Sequence, residues 1–194
     1  AVESIVRIGQ KPRNFNMEAL GQTELRADDP RLQSVYDLFE NRLARIIARA
    51  RKAGAEVLLC TMAVNNADCP PFGSRNRTDW SDGERASWQR NYAAGIQAQA
   101  EHRNSEAIAA YKDAARIDDG HAELAYRLAQ VLDAAGHAQD ARSWFARARD
   151  SDTRRFRADS RINQIIRDVA QRQQVRLIDV ERNFLEAHAD ETLF

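Results

Sequence analysis

NSEAIAAYKDAARID (104–118) and AQDARSWFARARDSD (138–152) carry one pattern twice, 34 residues apart. Ala107, Tyr111, Ala114 and Asp118 return as Ala141, Phe145, Ala148 and Asp152, and the same shift takes Gly95 to Ala129. Small residues at Gly95, Ala107, Ala129 and Ala141 let helices approach closely, and Tyr111 and Phe145 fill the space between neighbouring pairs. Each helical hairpin in such an array buries its apolar face only by stacking on the next. The spacing predicts hairpins over 82–155. The first repeat has helices around 88–99 and 105–116, the second around 122–135 and 138–149, with Gly136 breaking the chain between the last two.

A period of 34 with this pattern resembles the tetratricopeptide repeat, whose hairpins usually bind protein or peptide partners and rarely do chemistry. Aligned to that pattern, the inner face of the first helix carries Gln89, Tyr92, Ile96 and Gln99. The second repeat offers Tyr126, Gln130 and Asp133. Aromatics beside amides suit an extended peptide. The Lys/Asn carboxylate clamp of chaperone-binding repeats is absent, which argues against a chaperone tail. Two repeats make a shallow groove, and the competing expectation is that this face packs against the rest of the chain.

The flanks read differently. Residues 1–28 show little periodicity and look like an irregular or short-helix lead-in. Asp29-Pro30 then opens a long helix, with Asp29 as cap and Pro30 in the first turn. Leu32, Val35, Leu38, Phe39, Leu43, Ile46 and Ile47 are expected on its apolar face, and Gly54 ends it after Arg49, Arg51 and Lys52. VLLCTMAV (57–64) is a short uncharged run, read as a strand buried on both faces. NNADCPPFG (65–73) must be loop. After the repeats come a helix at 158–173 bearing Ile162, Ile165, Ile166 and Val169, a strand VRLIDV (175–180) and a helical piece at 181–189. The fold class expected is mostly α: hairpins (82–155) flanked by helix–strand pieces of an incomplete α/β unit (1–81 and 156–194). Two strands alone make a poor buried sheet. The missing neighbours are expected from a larger α/β domain or from a partner chain, by homo-oligomer formation or strand swapping.

The formal net charge of zero, with 29 Lys+Arg against 29 Asp+Glu, argues against a general nucleic-acid binder. Arginine dominates the bases; Lys11, Lys52 and Lys112 are the only lysines. No apolar run approaches the ~20 residues of a membrane span. The start of the chain has no signal-peptide pattern. Cys60 and Cys69 leave the compartment open; a buried thiol and a loop thiol, or a disulfide in an oxidising compartment, both fit. His102, His121, His137 and His188 are scattered, and no spacing supports a metal or cofactor. His102 and His137 fall near repeat turns and are expected in similar solvent positions.

Five stretches resemble a bacterial family of tetratricopeptide-containing SGNH-hydrolase-like (GDSL-type) proteins. They are NMEAL (16–20), RADDPRL (26–32), TMAVNNADCPPF (61–72), RFRADSRIN (155–163) and VRLIDVE (175–181). The resemblance implies ester hydrolysis or acyl transfer in a parent protein, and an extracytoplasmic, membrane-anchored location for it. This chain departs from the family pattern. It has no Gly-Asp-Ser block, no Gly-Asn-Asn-type block and no late Asp-x-x-His block near its C-terminal end. It is expected to begin after the oxyanion block, to stop before the base, and to be catalytically inert as it stands, with no catalytic residue. Asn65, Asn66 and Asp68 follow a strand's C-terminal end, where open α/β sheets bind ligands. They are candidates for a pocket wall in the parent, against the alternative of a polar turn capping its own backbone. Asp159-Ser160 imitates a nucleophile motif, but no strand precedes it and a capping or surface serine is expected. The leading expectation is therefore a protein-interaction segment of a hydrolase-like protein. The alternatives are a stand-alone adaptor, or an ester hydrolase or acyl transferase if the catalytic blocks belong to the parent. An esterase using Ser160 is the least expected.

Overall fold

The computed structural model describes residues 24–187; the lead-in 1–23, its NMEAL stretch and His188 lie outside the described residues. Within that span the chain is mostly helical. The helices are α1 (Arg31–Lys52), α2 (Asp82–Ala100), α3 (Asn104–Ala115), α4 (Ala122–Ala134), α5 (Ala138–Asp150), α6 (Ser160–Gln173) and α7 (Val180–Ala187). Strands β1 (Leu58–Cys60) and β2 (Arg176–Ile178) pair in parallel, with Leu58 opposite Arg176, Leu59 opposite Leu177 and Cys60 opposite Ile178. Both hairpins lie inside the connection from β1 to β2.

Helices α2 and α3 pack as one hairpin, α4 and α5 as the next, and α3 packs on α4. Their shared core contains Trp88, Ala107, Tyr111, Leu124, Leu128, Ala129, Ala141 and Phe145. Gly95 shows why the first position of the echo is so small. A Cβ there would lie 2.5 Å from the Cδ1 and Cε1 atoms of Tyr111, which is fully buried. Local signals fix the ends. Ser81 and Glu84 form a reciprocal capping box at the start of α2. Gly136 has φ +79° in the turn between α4 and α5. Its counterpart one period earlier is His102, at φ +56°. His102 thus aligns with Gly136 and not with His137, because the left-handed turn residue is what the repeat preserves there.

The second core joins α1 to α6 through Leu32, Tyr36, Ile47, Ile165, Val169 and Val175, with Phe39, Leu43 and Leu59 against it. The buried stripe on α1 therefore follows Leu32, Tyr36, Phe39, Leu43 and Ile47, one residue per turn. Val35, Leu38 and Ile46, expected on the same face, are exposed. The strand read at 57–64 as buried on both faces is three residues long, and Leu58 and Ile178 are 49% and 39% exposed. Among the described residues β1 has β2 as its only neighbour, so Leu59 reaches the helices and the opposite sheet face stays open. Asn163 of α6, fully buried, ends β1. Its Oδ1 accepts from the Met62 N–H and its Nδ2 donates to the Met62 carbonyl, both at 2.8 Å.

Candidate functional site

The first helices of the two hairpins, α2 and α4, carry the residues predicted for a partner face. Three of them are used within the chain. Tyr92 stacks on Trp88 at 4.7 Å, and burial pushes its hydroxyl up to about 12. Gln99 accepts a hydrogen bond from the Tyr111 hydroxyl at 2.7 Å. Tyr126 donates to the Ala67 carbonyl and sets its ring edge-on to Phe145. Gln89, Ile96, Gln130 and Asp133 are exposed.

What meets this face is the chain's own loop after β1. The loop is held at two points, one per repeat, by the aspartates of the 34-residue echo. Asp152 accepts from the N–H groups of Phe72 (2.9 Å), Gly73 (3.1 Å) and Arg154 (3.0 Å), and faces the Arg157 guanidinium. Asp118 accepts from the N–H groups of Arg77 (2.9 Å) and Gly120 (3.1 Å) and pairs with Arg26 at 3.0 Å. Both aspartates are buried. Burial alone would push the Asp118 carboxyl up, but the Arg26 side chain and the Arg77 N–H bring it below its usual range. Between these anchors Ser74 Oγ accepts from the Glu123 N–H at the start of α4, at 2.7 Å. Trp80 then packs on Trp88. Repetition thus places identical buried acceptors at the same point of each hairpin, and backbone N–H groups of the loop at Phe72, Gly73 and Arg77 are among their donors.

A cavity of about 920 Å³ opens at the C-terminal ends of the two strands. One wall is a single face of α5, from Gln139 through Arg142, Ser143 and Ala146 to Arg149. The opposite wall is Ser160, Arg161, Gln164 and Arg167 at the start of α6. Ala63, Val64 and Asn66 follow β1, and Glu181, Arg182 and Leu185 come from α7. By the repeat rule α6 would stack on α5 as α4 stacks on α3, but α5 and α6 are not a close-packed pair, and the space between them is this cavity. Arg149 bonds Asp150, Glu181 and Ser160 Oγ. Arg167 grips Asp179 at 2.8 Å and Glu181 at 2.7 Å, which holds the Asp179 carboxyl well below the usual carboxylate range and raises its own guanidinium.

The sequence-predicted wall residues divide. Asn65 and Asp68 bond each other, with Asn65 Oδ1 accepting from the Asp68 N–H at 2.9 Å, so they cap their own turn. Asn66 is 5% exposed and lines the cavity, and its Oδ1 has no hydrogen-bond partner among the described residues. Ser160 is the first residue of α6, behind the capping Asp159, and its Oγ accepts from Arg149. Cys60 and Cys69 are free thiols. His121 caps α4, its Nδ1 accepting from the Leu124 N–H at 3.2 Å. Among the described residues no cluster of His, Cys, Asp and Glu is placed to hold a metal, and no helix is long and apolar enough to cross a membrane. Sequence reasoning assigned no role to Asp118, Asp152, Asn163, Arg149 or Arg167. The echo of the two aspartates was the available signal; the others are scattered, and only packing unites them.

A tetratricopeptide repeat family model matches residues 98–161, about a third of the chain, from the end of α2 to the first residues of α6. No curated protein and no solved structure matches.

Proposed function

We propose that this chain is the protein-interaction segment of an SGNH-hydrolase-like protein, catalytically inert by itself, whose hairpins hold the loop after β1 and present their remaining face to a partner peptide. The repeat match supports protein interaction in general. The observation that carries the finer reading is the parallel strand pair, with apolar side chains on an open face and the connection between the strands given over to the hairpins. Such a pair buries its residues only within a larger sheet. Further strands of a parent, or a second copy joined through the open strand edges, would cover Leu58 and Ile178. Gln89, Ile96, Gln130 and Asp133 are the partner contacts in this reading, because the loop already engages Tyr126.

Two experiments test it. A peptide-library screen should return ligands whose affinity falls about ten-fold or more on Ile96→Glu, the scale of losing one anchor contact. An absence of ligands, or indifference to that change, removes the partner-face reading. Extending the chain with the sequence that flanks it in its gene should slow amide exchange at Leu58–Cys60; unchanged exchange removes the larger sheet. Short-chain aryl esters should not be hydrolysed by this chain, and activity abolished by Ser160→Ala would overturn its inertness.

A further inference from the structure

We infer that the outer flank of α1 is a docking surface for an anionic phospholipid membrane, on which the helix lies flat without crossing it. α1 packs on α6 and Leu59 through Leu32, Tyr36, Phe39, Leu43 and Ile47. The flank turned away from that stripe carries Val35, Leu38 and Ile46, which are 52%, 50% and 63% exposed. Arg42, Arg45 and Arg49 stand among them at three- and four-residue spacing, all exposed. Among the described residues none of these three guanidiniums has a hydrogen-bond or ion-pair partner. The other two arginines of α1 are engaged, Arg31 with Asp29 and Arg51 with the Gln174 carbonyl. The two carboxylates of the helix, Asp37 and Glu40, fall on the far side of its cylinder, where Glu40 pairs with Arg172. The flank is thus apolar and positive at once, in a chain whose formal net charge is zero.

Charge chooses between the occupants. A second copy docking by the same flank would set arginines against arginines. Strands added at the edges of the β1–β2 pair would extend the sheet in its own plane, whereas α1 meets that sheet through its opposite side, at Leu59. A folded acidic partner is best recognised by guanidiniums held in a fixed geometry, as Asp179 and Glu181 hold Arg167. Those on α1 are unheld, which suits lipid headgroups that move to meet them. Arginine stems can lie beside Val35, Leu38 and Ile46 at the acyl boundary while the charged ends stay at the phosphates. The stretch from Val35 to Arg49 is about 21 Å of helix, enough to rest along a bilayer surface. This flank belongs to neither the strand pair nor the repeat face, so membrane docking does not depend on a hydrolase-like parent.

Co-sedimentation of the full chain with lipid vesicles tests this. Phosphatidylcholine vesicles containing about one-third phosphatidylserine should carry the protein down at about 0.1 M salt, and about 0.5 M salt should release it. Pure phosphatidylcholine vesicles should leave it in solution. The triple variant Arg42→Gln, Arg45→Gln, Arg49→Gln should weaken partitioning about a hundred-fold, the scale of three basic side chains leaving an anionic surface. Leu38→Asn with Ile46→Asn keeps every charge and should weaken it about ten-fold or more. Both variants change exposed positions only, and circular dichroism should show their helicity intact. Arg116→Gln removes a charge that pairs with Asp113 on the repeats and should change nothing. Equal binding to neutral vesicles, no sedimentation with anionic ones, or wild-type binding by the triple variant each overturns membrane docking. Binding to poly-glutamate without binding to vesicles also overturns it, and names an acidic protein surface as the occupant.

Discussion

Replacing Gly95 by alanine should destabilise this protein, although alanine is the better helix former. Gly95 sits in the interior of α2, so the exchange gains about 1 kcal/mol of helix propensity. Against that, the new methyl would lie 2.5 Å from two ring carbons of Tyr111. The ring cannot simply swing away. It is fully buried, it lies 6.0 Å from the Tyr92 ring, and its hydroxyl is tied to Gln99 on the same helix as Gly95. Overpacking of this kind costs about 1–3 kcal/mol, and breaking the Tyr111–Gln99 bond adds about 1 kcal/mol. The net expectation is a loss of about 1–3 kcal/mol, read as a lower urea midpoint by far-UV circular dichroism. A double-mutant cycle isolates the cause. In a Tyr111→Leu background, with the ring removed, Gly95→Ala should become neutral or stabilising by up to about 1 kcal/mol. If Gly95→Ala is harmless in the wild type, or costs the same in both backgrounds, close packing on Tyr111 is not why glycine stands there.

Three further outcomes are expected. Asp152→Ala removes the acceptor of the part-buried N–H groups of Phe72, Gly73 and Arg154, and should cost about 1–3 kcal/mol and open the 65–78 loop to limited proteolysis; a loop that stays protected refutes the clamp. Burial depresses the His121 pKa, so the unfolded chain takes up the proton first as pH falls. Stability should therefore be full above pH ~6.5 and decline below it, down to the lowered folded value. In His121→Asn, which retains a capping side chain, that part of the pH dependence should vanish from thermal melts, and its persistence would refute the assignment. Gly136→Ala meets no atom within 4 Å and should cost only the left-handed strain, about 1 kcal/mol in chemical denaturation; a neutral result would show that the turn relaxes.

Much of the helical architecture was legible because its signals are local and repeated. The 34-residue echo, Gly136, Gly54 and the apolar spacing of 158–173 are signals of this kind, and the helices fall close to where they place them. The strand at 57–64 was legible as a strand but not in its burial, which depends on what lies across the sheet. The same holds for α1. Its apolar residues are numerous enough for two stripes, and contact with α6 decides that Leu32, Tyr36 and Ile47 are buried while Val35 and Ile46 are not.

The candidate sites divide along the same line. Tyr92, Gln99 and Tyr126 stood out by type and position, yet a residue's availability to a partner depends on whether the chain itself gets there first, and here the loop bonds to Tyr126. Asn66 and Asn65 are adjacent and alike in sequence, but one is buried in a cavity wall and the other closes a turn. Periodicity, set by steric rules inside each helix and at each hairpin contact, was enough to establish two stacked hairpins between two helix–strand units. The double aspartate clamp, the open sheet face and the arginine-lined cavity join residues far apart in the chain, as does the Thr61–Asp179 bond beside β2, whose partners stand 118 positions apart. Such contacts leave no periodic trace, because their energy comes from groups that meet only after the chain has folded.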